Sequence, residues 1–234
     1  MRYIIGLLCL LLHVTILFAQ PQRNPYNLDL MVTAEAYYHA MTSNNNNEMI
    51  DLQRIIPGIV LDIRYATTNN FTGQKLYDSA RAFLRRPVAE ALLKVQKELN
   101  KQGIALKVMD AYRPYSVTLK FYNIYRNTSF VAAPWIGSRH NRGAAVDLSL
   151  IDLKTGNELL MPTPYDEFSE RAHPGYTDLP EEAIRNRNLL IRIMSENGFS
   201  VFQTEWWHFD FRGWEQFGLL DLSFQDLDDG ALAH

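Results

Sequence analysis

Apolar residues recur at helical spacing most clearly over residues 87–102. Val88, Leu92, Val95 and Leu99 fall on one stripe, Pro87 stands at the start where its missing N–H costs nothing, and Gly103 follows the end. The pattern predicts a helix there, a second over 115–126, and a third over 181–197 between Pro180 and Gly198. Elsewhere the period is two. Ile104, Leu106 and Val108 alternate with Ala105 and Lys107, which predicts a strand running into Asp110-Ala111-Tyr112-Arg113-Pro114. Ala144, Val146, Leu148 and Leu150 share one face of another strand, leaving Asp147 and Ser149 on the opposite face. Residues 59–65, 199–202 and 208–211 also read as strands. Helices and strands mix without a βαβ rhythm, so the expected fold is α+β, a mainly antiparallel central sheet flanked by helices.

The pattern changes at both ends. Residues 1–19 carry Arg2 followed by a short apolar run from Ile4 to Phe18 and end on Ala19, the form of a cleaved secretory signal. The expectation is export to a periplasm or the extracellular space, with no stable membrane span after cleavage. Residues 20–49 are polar and include Asn44-Asn45-Asn46-Asn47, which reads as a tether. Residues 50–222 form the expected single domain, and the acidic 223–234, with Asp226, Asp228 and Asp229, reads as a frayed tail. Between Gly156 and the third helix lie Pro162, Pro164, Pro174 and Pro180, an irregular region of the kind that carries specificity.

Composition narrows the chemistry. The chain is 47% hydrophobic and 21% charged with a formal charge of −3, ordinary values for a soluble domain and without the basic footprint of a nucleic-acid binder. Cys9 is the single cysteine and leaves with the signal, so a metal would be held by nitrogen and oxygen alone.

Two stretches offer such ligands: Ser138-Arg139-His140-Asn141-Arg142-Gly143-Ala144-Ala145-Val146-Asp147, and Glu205-Trp206-Trp207-His208. Together they supply two imidazoles, a carboxylate ligand and a spare carboxylate. Three protein ligands and an open position hold a catalytic zinc, and a spare carboxylate serves as base. Gly143 lets the chain turn between His140 and Asp147. Glu205 and His208 pose a difficulty, because residues three apart on a regular strand point to opposite faces; serving one site requires a bend or bulge. His39, His173 and His234 read as ordinary histidines, and His13 belongs to the signal.

Ser-x-His-x6-Asp followed by Glu-x-x-His, with Trp before the second His, resembles the zinc D-alanyl-D-alanine peptidases. Asp110 to Pro114 resembles that family's strand-end arginine motif. Asp62-Ile63-Arg64-Tyr65-Ala66-Thr67 with Asn70-Phe71-Thr72-Gly73, and Asp166 to His173, look like its D-Ala-D-Ala dipeptidase branch, the vancomycin-resistance type. The resemblance spans roughly residues 50–215 and implies the hedgehog/D-Ala-D-Ala-peptidase-like fold, one zinc per chain and a small D,D-dipeptide substrate. It implies His140, Asp147 and His208 as zinc ligands, Glu205 as general acid/base and Arg113 on the oxyanion. Ser138 and Asp166 would contact substrate, Asp166 at its ammonium group. Ser138 can equally cap a turn, and Asp166 can be a plain loop carboxylate. Three other functions stay open: a D,D- or L,D-carboxypeptidase acting on peptidoglycan stems, a non-haem iron oxygenase using the same ligand types, and a metal-stabilised binding module without catalysis.

Overall fold

A computed structural model of the chain describes residues 24–232; the signal expected over 1–19 lies outside the described residues. In chain order the elements are β1 (Leu30–Met31), α1 (Ala34–Ser43), β2 (Met49–Asp51), α2 (Leu52–Ile55), β3 (Val60–Leu61), β4 (Phe83–Arg85) and α3 (Arg86–Asn100). They continue with β5 (Ile104–Asp110), α4 (Tyr115–Ile124), β6 (Ala145–Asp152), α5 (Glu181–Glu196), β7 (Phe199–Phe202), β8 (Glu205–Phe211), β9 (Leu219–Leu220) and α6 (Phe224–Leu232).

The central sheet has five strands in the order β3-β5-β6-β8-β7. Only β3 pairs in parallel; the other three pairings are antiparallel, as the sequence pattern predicts. Helices α3 and α5 pack on each other and on β5 and β7. The stripe Val88, Leu92, Val95 and Leu99 is fully buried in this layer, and burying each such side chain contributes roughly 1.5–3 kcal/mol. Val146, Leu148 and Leu150 of β6 join the same core. Alternation along β6 then turns Asp147 away from these apolar residues.

Three expectations need correction. The stretch read as a tether is folded from residue 24 onward. Thr33 caps α1 by accepting from the Ala36 N–H at 3.2 Å, and Tyr37 and Met41, one turn apart, are buried. Two buried residues on a mostly polar helix leave little trace in composition. The asparagine run forms a 3₁₀ turn (Asn45–Asn47) whose Asn47 carbonyl accepts from Arg85 at 2.6 Å. The acidic end is also ordered: α6 begins with a reciprocal cap between Ser223 and Asp226, and Phe224 and Leu227 are buried. The Phe224 ring meets Tyr77, Phe83 and Tyr112 at 5.2, 5.7 and 6.1 Å, contacts that fix the helix despite its charge. Lastly, the strand expected over 59–65 stops at Leu61. The chain leaves the sheet in a 3₁₀ turn (Arg64–Ala66) that sinks the Tyr65 ring beside Tyr77 and Phe121.

Candidate active site

Three donors converge where β6 and β8 run side by side. Asp147 and His208 are register partners across that pair, and His140 comes from the 3₁₀ turn His140–Arg142 just ahead of β6. Gly143 closes the turn at φ 65°, and a Cβ there would lie 2.6 Å from the Met49 Cε. Only glycine fits both conditions. His140 Nε2 lies 3.1 Å from His208 Nδ1 and 3.3 Å from Asp147 Oδ1, and His208 Nδ1 lies 3.1 Å from the same oxygen. Metal–ligand bonds of about 2.0–2.2 Å in a tetrahedral site put ligand atoms about 3.3 Å apart, so the three donors fit one small metal ion.

The atoms behind the donors point to the same use. His140 Nδ1 sits 2.6 Å from the Ala111 carbonyl, which assigns the ring proton to Nδ1 and leaves Nε2 as a lone pair. His208 is oriented in the same way through Nε2, 2.9 Å from Asp210 Oδ1. The second oxygen of Asp147 accepts from the Tyr165 hydroxyl at 2.7 Å. Burial acts to lower the His208 pKa, but its hydrogen bonds to Asp147 and Asp210 outweigh it and raise the group to about 10. Burial acts to raise Asp147, yet the imidazoles beside it hold its carboxyl well below the usual range.

Glu205 enters through the irregularity that its spacing demanded. Val201 of β7 pairs with Phe209, yet the next residue, Phe202, pairs with Glu205, so Trp206, Trp207 and His208 bulge from the ladder. Both tryptophans are buried; Trp206 donates to Thr163 Oγ1 at 3.0 Å and the Trp207 ring meets Tyr165 edge-on at 5.5 Å. They anchor the bulge that lets Glu205 and His208 line one cavity. Burial, opposed by His208, pushes the Glu205 carboxyl up to about 7, where a carboxylate can take and return a proton near neutral pH.

A second bulge, on β5 between Val108 and Asp110, aligns Asp110 with Asp147. Asp110 is fully buried and accepts from Arg113 Nε and Nη2 at 3.0 and 2.6 Å and from the Tyr77 hydroxyl at 2.8 Å. Burial works against the Arg113 charge, but Asp110 outweighs it and keeps the guanidinium protonated. Asn141, also fully buried, donates to the Arg113 carbonyl at 2.8 Å and so ties the arginine loop to the His140 turn. Ser138 lies on the cavity wall and its hydroxyl accepts from the His140 N–H at 3.1 Å, the capping contact.

Asp166 occupies the far wall at φ 61°, strained for a residue with a Cβ. Its carboxyl group accepts from the Tyr65 hydroxyl at 3.0 Å and forms no ion pair among the described residues. Burial first, then the charge of Asp147, push it well above the usual carboxylate range. The cleft lined by these groups is small, ≈ 280 Å³, with Phe71, Phe130 and Phe168 among its walls.

All seven residues singled out by sequence therefore line one cavity. Among the described residues, His140, Asp147 and His208 form the one group of metal-ligating type; His39 and His173 stand apart. Sequence reasoning missed the supporting atoms: Asp110, Tyr165, Asp210 and Asn141. Asp210 was open to discovery, since it stands two residues from His208 on one strand face. Tyr165 comes from the irregular loop, and no local pattern joins it to Asp147.

Residues 45–225 match a protein family described as D-ala-D-ala dipeptidase. The chain is 36% identical over 167 residues to a D-alanyl-D-alanine dipeptidase of Escherichia coli (71% of this chain, 86% of the relative). It is 32% identical over 182 residues to one of Enterococcus faecium (69% and 90%). A solved structure of the LD-carboxypeptidase LdcB overlaps at a TM-score of 0.41 and 16% identity, covering 80% of this chain and 73% of that one. With the family match running through every element that builds the cavity, this chain belongs to the D-ala-D-ala dipeptidase family of metallopeptidases.

Proposed function

We propose that the protein hydrolyses the D-alanyl-D-alanine dipeptide to free D-alanine with one zinc ion held by His140, Asp147 and His208. The observation that carries this reading is the convergence of three donor atoms within 3.3 Å of one another on a cavity that Glu205, Arg113 and Asp166 also line. The donor set is nitrogen and oxygen with no thiolate, which suits zinc in a catalytic site. Zinc bound there supplies Lewis acidity toward the scissile carbonyl and toward water.

The chain's own residues supply the rest. Glu205, held near neutrality by burial, takes the proton of the attacking water and delivers it to the leaving amine. Arg113, buried and fixed by Asp110, donates to the oxygen on which negative charge develops. Asp166 receives the ammonium group of the dipeptide, which relieves a buried carboxylate that has only a hydroxyl partner. Ser138 fixes the His140 backbone and offers its hydroxyl to the substrate on the same wall. The small aromatic-walled cavity suits a dipeptide better than a peptidoglycan stem. Export to the periplasm or beyond, on the signal-like residues 1–19, would direct the enzyme to wall turnover or recycling.

Hydrolysis of D-Ala-D-Ala and N-acetyl-D-Ala-D-Ala by the purified protein tests the reading. Acetylation replaces the ammonium by an uncharged amide and strands Asp166, so cleavage should fall by several powers of ten. Equal cleavage of both would make the protein a carboxypeptidase.

A further inference from the structure

The cavity has a charge axis. From Asp147, contacts run through the Tyr165 hydroxyl (2.7 Å) and the Tyr65 hydroxyl (3.3 Å) to Asp166 (3.0 Å). From His208, they run the other way: Nε2 to Asp210 Oδ1 at 2.9 Å, then Asp210 Oδ2 to Arg139 Nε at 3.6 Å. A carboxylate therefore stands at one end of the metal-ligand triad and a guanidinium at the other.

The guanidinium has an ion pair with Asp210 but no hydrogen bond among the described residues. Arg139 lines the cavity, and among the described residues it donates no hydrogen bond; its Nε is buried without a partner, and 3.6 Å to Asp210 is too long for one. Rings hold it instead: its Cζ lies 4.8 Å from the centre of Trp214 and 5.9 Å from that of Phe202. The other cations of the cavity are engaged, Arg113 by two bonds to Asp110 and Arg142 by the Phe217 carbonyl. A planar fork of five donors, half-exposed, aromatic-backed and on the cavity wall, suits a carboxylate.

We propose that Arg139 binds the C-terminal carboxylate of the substrate. This rests on the dipeptidase reading, in which Asp166 takes the ammonium group: a D,D-dipeptide is a zwitterion whose two charges flank the scissile bond, and the cavity offers the complementary charges in the matching order. Because Arg139 sits between Ser138 and His140 in one turn, the backbone that places a metal ligand also places the carboxylate clamp.

The test compares D-Ala-D-Ala with D-alanyl-D-alaninamide, which lacks the carboxylate charge, in the zinc-loaded parent, Arg139→Gln and Arg139→Lys. The parent should prefer the acid in kcat/KM by on the order of 10- to 100-fold, the range of a hydrogen-bonded charge. Arg139→Gln should bring the acid-to-amide ratio of kcat/KM down toward one, whatever it does to both substrates alike, while Arg139→Lys keeps part of the preference. Thermal melting and zinc content monitor the fold, which the acid-to-amide ratio does not depend on. An unchanged ratio in Arg139→Gln, or a parent indifferent to amidation, overturns the assignment and leaves the dipeptidase reading standing. A parent that cleaves neither compound overturns that reading and this one with it.

Discussion

The two walls of the cavity are built differently. His140, Asp147, Glu205 and His208 sit on or beside β6 and β8, and each metal-ligand candidate has its remaining polar atom engaged by Ala111, Tyr165 or Asp210. The opposite wall is loop. Tyr165 and Asp166 lie in the irregular stretch before α5, and Asp166 combines a left-handed backbone with a part-buried carboxyl group that forms no ion pair among the described residues. Strands fix groups that must keep one geometry through a reaction. The loop wall holds a left-handed residue whose carboxyl group burial pushes toward its neutral form, and a cationic group beside it would favour the ionised form. On this contrast, strand-wall substitutions strike the chemical step and loop-wall substitutions strike the choice of substrate.

Glu205→Gln should have the largest effect of the variants that keep the metal. The residue is outside the donor triangle, so zinc content by elemental analysis should match the parent while kcat falls by roughly 10² to 10⁴. Zinc lost together with activity would place Glu205 among the ligands. Arg113→Ala comes next, with about 3 kcal/mol added to the barrier and visible mainly in kcat, because the charge it meets exists only in the transition state. An effect confined to KM would move Arg113 to the ground-state substrate.

The loop wall should respond in another way. Asp166→Asn is expected to retain zinc, lose most of its activity on D-Ala-D-Ala, and narrow the gap to N-acetyl-D-Ala-D-Ala, read as the ratio of the two kcat/KM values. A variant that keeps the full ratio would return Asp166 to a structural role. Tyr165→Phe bridges the two walls and should have the smallest effect. Removing the donor to Asp147 Oδ2 is expected to weaken zinc binding by about 10-fold in competition with a chelator, the low end for groups supporting a metal ligand. Unaltered affinity would show that Asp147 needs no such support.

What the sequence disclosed follows the same division. Periodicity located α3, α5, β5 and β6 to within a few residues, because one buried face repeats along each. It also exposed the problem at Glu205 and His208, and the bulge opposite Val201 and Phe202 solves it. Long-range partners were out of reach. Nothing local in Tyr165 announces Asp147, and the Asn141 contact to the Arg113 carbonyl joins residues 28 apart. The ends were misread because composition weighs all residues equally. Tyr37, Met41, Phe224 and Leu227 are few among polar neighbours, yet their burial decides that α1 and α6 fold.

The central claim is that one zinc ion on His140, Asp147 and His208 drives hydrolysis of D-Ala-D-Ala. Its most direct test is to strip the protein with a chelator, remove the chelator, and measure D-alanine release as zinc is returned in sub-stoichiometric steps. The account predicts no release from the stripped protein, a linear rise, and a plateau at about one zinc per chain, with no rise in His208→Ala. Full activity in the stripped protein, or a His208→Ala variant restored by the same single equivalent, would contradict it.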